Sequence, residues 1–198
     1  MTTTFGSPVV TAAPDTRWRT RDIVIAAVIG VAFGVVFWAW GVIWSGPLDV
    51  ALAFAPPLKD LGYAVWLIPA VLAPLVIRKP GAALFAEMVA AGVSAFLGSV
   101  WGVDTLLSGF VQGAAAELVF AFTLYRLWGF PVLAMAAVAS AAAAWIHDWA
   151  LYYADTDLAV QVVRGVAMAI SAVVFVAGGS VALHRSLKRA GVLEGFPD

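Results

Sequence analysis

The chain contains 198 residues, of which 63% are hydrophobic and only 12% are charged, and its mean hydropathy is +0.97. Soluble domains average about 45–50% apolar and about 25% charged residues, so this chain cannot cover itself with a water-soluble surface. Its net charge of −1 excludes the basic field of a nucleic-acid binder, and the lack of cysteine excludes disulfides, thiolate zinc sites and cysteine nucleophiles. The composition therefore predicts an integral membrane protein.

Six stretches are long and apolar enough to cross a bilayer, which requires about 20 mostly apolar residues. In chain order they are residues 22–45, 60–77, 80–98, 104–128, 131–153 and 157–184. Pro80 and Pro131 each stand where a helix should begin, a position that tolerates the missing N–H of proline. The short segment 47–59 is interrupted by Pro56 and Pro57, which predicts an interfacial or re-entrant loop.

The basic residues indicate how this all-α bundle is oriented. If six helices alternate, nine Lys and Arg residues fall on the side of both termini, and the opposite loops hold only Lys59. By the positive-inside rule, both termini are predicted to be cytoplasmic. The predicted organisation is a cytoplasmic tail at 1–21, a six-helix transmembrane domain at 22–184 and a cytoplasmic tail at 185–198.

Ionisable side chains inside the predicted spans are functional candidates, because each costs about 2.5–3.5 kcal/mol at a helix centre on insertion scales. Glu87 and Glu117 fall at similar depth, near the midplane, on consecutive helices. Two carboxylates at one depth repel each other unless a cationic ligand or a shared proton compensates them. We therefore expect both to face a ligand. The alternative is that one of them hydrogen-bonds a neighbouring helix.

Three further polar residues lie in the last two spans. Asp148 and Arg164 match in depth, so an ion pair between them is the simplest explanation of both charges. His147 is a candidate either for a ligand contact or for a helix–helix hydrogen bond. Metal binding is not predicted, because a single intramembrane His and scattered carboxylates lack the spacing of metal ligands.

Aromatic residues are concentrated toward the predicted outer side. Seven of the nine tryptophans fall there: Trp38, Trp40, Trp44, Trp66, Trp101, Trp145 and Trp149. Aromatic belts favour both interfaces, so this excess, together with Tyr63, Tyr152 and Tyr153, predicts that some rings line a cavity. Rings around a flat heteroaromatic, with acids beneath it, would bind a small cationic aromatic molecule. A belt that is denser on one side is the alternative explanation.

Small residues four apart lie on the first span, at Ala26, Gly30 and Gly34. This spacing lets another helix approach closely, and it predicts a face on which a partner helix docks.

Two runs carry a resemblance that composition does not explain. Residues 77–87 read Ile-Arg-Lys-Pro-Gly-Ala-Ala-Leu-Phe-Ala-Glu, and residues 107–117 read Leu-Ser-Gly-Phe-Val-Gln-Gly-Ala-Ala-Ala-Glu. Between them, residues 97–102 read Leu-Gly-Ser-Val-Trp-Gly. Together these runs resemble the YkoE family, which comprises substrate-capture subunits (S components) of energy-coupling-factor (ECF) vitamin transporters.

The resemblance implies a multi-pass protein of the bacterial plasma membrane that has no catalysis and no cofactor. It implies six helices, and an outward-facing site for thiamine or its hydroxymethylpyrimidine precursor. The implied partners are a membrane coupling protein and either two ATPase subunits or one tandem ATPase. In other S components a small-residue pattern on the first helix meets the coupling protein, so Ala26, Gly30 and Gly34 are similar to that face.

The predicted substrate-binding residues come from two sources. Those inside the matching runs are carried over from the resemblance: Glu87, Trp101, Gln112 and Glu117. The others rest on the residue analysis alone: Tyr63, Trp66, His147, Asp148 and Tyr152.

Two other classes stay open. One is a stand-alone small-molecule membrane carrier, channel or structural subunit. The other is an intramembrane enzyme, which would need a serine nucleophile such as Ser99 or Ser108 and His147 as its base. No oxyanion-hole motif accompanies these residues.

Overall fold

A computed structural model of the protein describes residues 16–196. Its eight α-helices in that range are α1 (Thr20–Ser45), α2 (Pro47–Ala51), α3 (Ile68–Ile77), α4 (Ala82–Phe96), α5 (Asp104–Phe122), α6 (Phe130–Tyr152), α7 (Leu158–Ser171) and α8 (Gly178–Arg189). A 3-10 segment, Pro56–Leu67, runs directly into α3, and a π turn, Ala172–Ala177, joins α7 to α8. Most of the predicted N-terminal tail (residues 1–15) and the end of the C-terminal tail (197–198) lie outside the described residues.

The all-α membrane architecture is confirmed. Five helical stretches in the described range are long and apolar enough to cross a membrane: Thr20–Ser45, Pro56–Ile77, Asp104–Phe122, Phe130–Tyr152 and Leu158–Arg189. The third predicted span, residues 80–98, corresponds to the shorter apolar helix α4, whose 15 residues extend about 22 Å. The count of six spans and the cytoplasmic placement of both termini stay predictions.

Some predicted helix boundaries differ from the structure. α4 begins at Ala82 after Gly81 in a left-handed conformation (φ 84°), so Pro80 does not open the helix, whereas Pro131 does lie in the first turn of α6. α5 ends at Phe122, well before the predicted 128, because Leu124 and Tyr125 both take left-handed backbone angles (φ 54°) that cannot continue a right-handed helix. The predicted loop 47–59 contains α2 and the start of the 3-10 segment.

α4 is held against α1 by backbone contact at glycines. A Cβ atom added to Gly34 would lie 2.5 Å from the Cβ of Val93, and one added to Gly30 would lie 2.7 Å from the Cβ of Val89. Real Cβ atoms do not approach this closely, so glycine is required at both positions. The predicted docking of a partner on Ala26, Gly30 and Gly34 is therefore corrected, because these residues are buried inside the bundle. The spacing signals a close helix contact, but it does not say which helix makes it.

α5 approaches the other side of α4 in the same way. A Cβ on Gly109 would lie 2.5 Å from the Cβ of Ala91, and one on Gly113 would lie 2.9 Å from the Cβ of Glu87. α4 thus lies between the glycine faces of α1 and α5, and Glu87 is enclosed in the middle of the bundle.

The end of the bundle where Trp18 and Phe196 lie is closed by local packing. Trp18 Nε1 donates to the carbonyl oxygen of Pro80 at 2.8 Å, and the Arg21 guanidinium lies 4.8 Å from the centre of the Phe196 ring. α8 extends to Arg189, beyond the predicted start of the tail at 185. Leu193, which follows α8, is buried in a hydrophobic cluster against which Trp18 and Phe196 pack. The opposite end, where α1 and α6 terminate and α5 begins, contains a cavity.

The contact between α1 and α4 predicts different outcomes for two glycines. Gly34→Ala should lower the free energy of unfolding by about 1–3 kcal/mol, because the added methyl group overlaps Val93. Gly92→Ala in α4 should not destabilise the protein, since an added Cβ there meets nothing within 4 Å and alanine favours helix. Thermal unfolding in detergent measures both effects, and equal stability of the two variants would contradict the close helix contact.

Candidate functional site

A cavity of about 210 Å³ lies inside the bundle at the end opposite Trp18 and Phe196. This size is somewhat below the usual range of about 300–1,000 Å³ for drug-sized ligands, so it suits a small organic molecule. The lining combines aromatic rings, hydroxyl groups, an amide and three carboxylates, contributed by Phe37, Trp44, Tyr63, Trp66, Glu87, Ala91, Ser94, Ser99, Trp101, Asp104, Thr105, Ser108, Gly109, Gln112, Asp148, Tyr152 and Tyr153.

One side of the cavity is an aromatic wall formed by Trp44, Tyr63, Trp66 and Trp101. The Trp66 ring is central, because its centroid lies 4.8 Å from that of Trp44, 5.2 Å from Tyr63 and 5.3 Å from Trp101, each in a T-shaped arrangement. These rings come from α1, the 3-10 segment and the loop before α5, and Trp101 also packs against Gly41 of α1. The wall is therefore fixed by contacts among three chain segments.

Glu87 of α4 is fully buried and lines the cavity. Its Oε2 accepts a hydrogen bond from the backbone N–H of Ala70, near the start of α3, at 3.0 Å. Its Oε1 has no hydrogen-bond partner among residues 16–196. Leaving a buried polar atom unpaired costs about 1–3 kcal/mol, so this oxygen is a ready acceptor for a ligand. Gln112 lines the cavity too, and its Nε2 donates to Ser108 Oγ at 2.6 Å.

A cluster of four polar side chains lies where α5 begins and α6 ends. His147 Nε2 is 3.2 Å from Asp104 Oδ1, and His147 Nδ1 is 3.1 Å from Asp148 Oδ1. Tyr152 donates its hydroxyl to Asp104 Oδ2 at 2.5 Å. Asp104, Asp148 and Tyr152 line the cavity, whereas His147 lies outside its lining and contacts both carboxylates.

The predicted ion pair between Asp148 and Arg164 is wrong. Arg164 instead binds Asp60 of the 3-10 segment, with Nε 2.9 Å from Oδ2 and Nη2 3.2 Å from Oδ1. Its guanidinium carbon also lies 3.5 Å from the centre of the Tyr153 ring. Asp60 is only 2% exposed, because the 3-10 segment carries it into the bundle rather than leaving it at the membrane surface.

Glu117 does not line the cavity, which corrects its predicted role as a ligand contact. Its Oε1 accepts from the Gly81 N–H at 2.6 Å and from the Tyr125 hydroxyl at 2.7 Å, and its Oε2 accepts from the Ala83 N–H at 2.9 Å. The carboxylate therefore caps the N-terminus of α4, where negative charge is favoured. Burial, followed by the neighbouring carboxylate, raises the pKa of Tyr125, so its hydroxyl remains a donor at neutral pH.

The structure brings together seven of the nine predicted substrate contacts in this cavity: Tyr63, Trp66, Glu87, Trp101, Gln112, Asp148 and Tyr152. Contact with a ligand stays a prediction for each of them. Trp44 and Asp104 also line the cavity, although neither is among the predicted substrate contacts. Trp44 belongs to the outer tryptophan group, and Asp104 follows the Trp101 run at the first residue of the predicted fourth span, so both were within reach of the sequence pattern.

Three comparisons with known proteins agree with this arrangement. The fold matches a crystal structure of an S component of an ECF transporter with a TM-score of 0.84 and 34% identity, covering 90% of each chain. Residues 21–143 match a family model described as the permease component of an ABC-type cobalt transport system. YkoE of Bacillus subtilis (strain 168), whose name provisionally describes an HMP/thiamine permease, is 35% identical over 187 residues, which cover 90% of this chain and 89% of YkoE.

The fold and these relatives define the class of protein as a membrane S component of an ECF transporter, which is a transport subunit and not an enzyme. It is a multi-pass protein of the bacterial plasma membrane. Within that class, the chain belongs to the YkoE family, as the two sequence runs predicted.

The capping contacts of Glu117 predict a structural effect. Glu117→Gln should lower the free energy of unfolding by about 1–3 kcal/mol, because the amide removes the negative charge and places an N–H group against backbone N–H donors. Thermal unfolding in detergent tests this expectation. A large loss of ligand affinity without any loss of stability would return Glu117 to the binding site.

Proposed function

We propose that this chain captures thiamine or its hydroxymethylpyrimidine precursor in an outward-facing cavity and delivers it for ATP-driven uptake. In this proposal six helices cross the membrane with both termini in the cytoplasm. The partners are a membrane coupling protein and either two ATPase subunits or one tandem ATPase. The class of the chain, the name of its relative YkoE and the chemistry of the cavity support the proposal.

The observation that carries the proposal is the unpaired Oε1 of Glu87 beside the aromatic wall. An aminopyrimidine presents an exocyclic amino group whose N–H can donate to a buried carboxylate oxygen. Its flat ring can stack on the indoles of Trp66 and Trp101. The thiazolium of thiamine adds a permanent positive charge. Asp104 and Asp148, which are more exposed than Glu87 and form the mouth of the cavity, can balance this charge.

The matching family model mentions cobalt transport, which raises a metal ion as the alternative cargo. Among residues 16–196, however, no group of three or more His, Cys, Asp or Glu side chains has the arrangement of a metal site. The carboxylates at the mouth already contact His147 and Tyr152. The donor set with its aromatic wall therefore favours an organic ligand.

Titration of purified protein tests the proposed ligand. Trp44, Trp66 and Trp101 line the cavity, so thiamine or hydroxymethylpyrimidine should change tryptophan emission saturably, with a dissociation constant in the micromolar range or tighter. The absence of saturable binding of either compound would contradict the proposal. Thiamine uptake into liposomes by this chain alone, without ATP, would favour a stand-alone carrier.

Neutralising Glu87 should weaken binding. Glu87→Gln should raise the dissociation constant about 5- to 150-fold, which corresponds to the loss of about 1–3 kcal/mol from a charge-assisted hydrogen bond. If Glu87 binds the aminopyrimidine, thiamine and hydroxymethylpyrimidine should lose affinity equally. If it acts through charge, only thiamine should be affected.

Glu194→Gln is the matched control, because Glu194 is an exposed residue near the C-terminus, outside the cavity lining. It should bind both compounds with unchanged affinity. Unchanged affinity in Glu87→Gln as well would remove Glu87 from the binding site.

A further inference from the structure

Asp104 and Asp148 belong to different helices, yet both contact the imidazole ring of His147. The ring nitrogens lie 3.2 Å and 3.1 Å from the two carboxylates. An ionised carboxylate accepts hydrogen bonds but does not donate them, so both ring nitrogens must carry a proton for both contacts to be hydrogen bonds. The geometry therefore favours imidazolium and two carboxylates, a group with one excess negative charge.

The other polar groups around this cluster do not replace the imidazolium. Tyr152 is a neutral donor to Asp104. Tyr63 and Asp60, on the 3-10 segment, interact electrostatically with Asp148, as does Arg164 on α7. Arg164 is bound to Asp60 through two hydrogen bonds. Within residues 16–196, His147 is the cation in direct contact with the two mouth carboxylates.

We propose that a cationic ligand in this cavity competes with the His147 proton for the charge of Asp104 and Asp148, so that capture of the cation releases a proton. The inference rests on the proposed function, because it takes thiamine as the cation. His147 does not line the cavity and acts through the carboxylates, which makes it a positioning residue. A neutral ligand of similar shape provides no charge to displace the proton.

Linkage fixes the sign of the effect. If a bound cation makes the imidazolium proton easier to remove, then prior removal of the proton must strengthen binding of the cation by the same factor. Thiamine affinity should therefore rise with pH, by up to about tenfold per pH unit, in the range where His147 titrates. The affinity for uncharged hydroxymethylpyrimidine should stay constant over that range.

The test measures dissociation constants for both compounds between about pH 6.5 and about pH 8, within the range in which histidine switches its charge. The wild-type protein should show pH-dependent binding of thiamine only. His147→Gln should remove this dependence, because the variant has no titrating group between the carboxylates. The control is His184→Gln, which changes the other histidine of the chain. His184 lies in α8 away from the cavity, so this variant should retain the wild-type pH dependence.

Calorimetry on the wild-type protein supplies a second measurement that does not depend on the folding of a variant. Titrations in two buffers with different ionisation enthalpies should reveal protons released by thiamine and none released by hydroxymethylpyrimidine. Thiamine binding that is independent of pH and releases no proton would overturn this inference and leave the proposed function intact. No binding of either compound would overturn both.

Discussion

The contact of α4 with its two neighbours is the constraint on which the rest of the structure depends. Glycines on α1 and α5 let both backbones approach α4 more closely than any side chain would allow. α4 ends at Phe96, and the loop that follows it carries Trp101 to the cavity. The middle of α4 holds Glu87 in the cavity lining. The same close packing that stabilises the bundle therefore sets both the depth of the buried carboxylate and the position of the aromatic wall above it.

Much of the helical architecture could be predicted from long apolar stretches, whose ends at Ser45 and Ile77 agree with the structure. The local conformations that shorten helices were not predictable in the same way. Leu124 and Tyr125 adopt left-handed angles that ordinarily favour glycine or asparagine, so nothing in their residue types indicates that α5 ends before them. The third predicted span, residues 80–98, was also longer than α4, because hydropathy does not show that left-handed turns at Gly81 and Gly98 bound the helix.

The composition of the cavity was easier to predict than the pairing of its charges. An excess of aromatic residues on one side, with a few acids inside the spans, correctly pointed to the end of the bundle that contains the cavity. Counting residues from a helix end gives the depth of a side chain but not the direction in which it points. Asp148 and Arg164 have similar depth, yet one contacts His147 and the other contacts Asp60. Residue counting gave Glu117 the depth of Glu87, but the Glu117 carboxylate lies at the start of α4, where it accepts from Gly81 and Ala83.

Buried charges in this bundle differ in how completely the protein satisfies them. Glu117 accepts three hydrogen bonds, and Asp60 is bound by Arg164 through two, so both are compensated within the protein. Glu87 is more deeply buried than either and accepts one, from Ala70, while its second oxygen faces no partner in the described part of the chain. A structure that satisfies its other buried carboxylates could accommodate a glutamine or an apolar residue at position 87 at lower cost. An incompletely satisfied acid at the cavity lining is what a binding site requires, because the missing hydrogen bond is left for the ligand to donate.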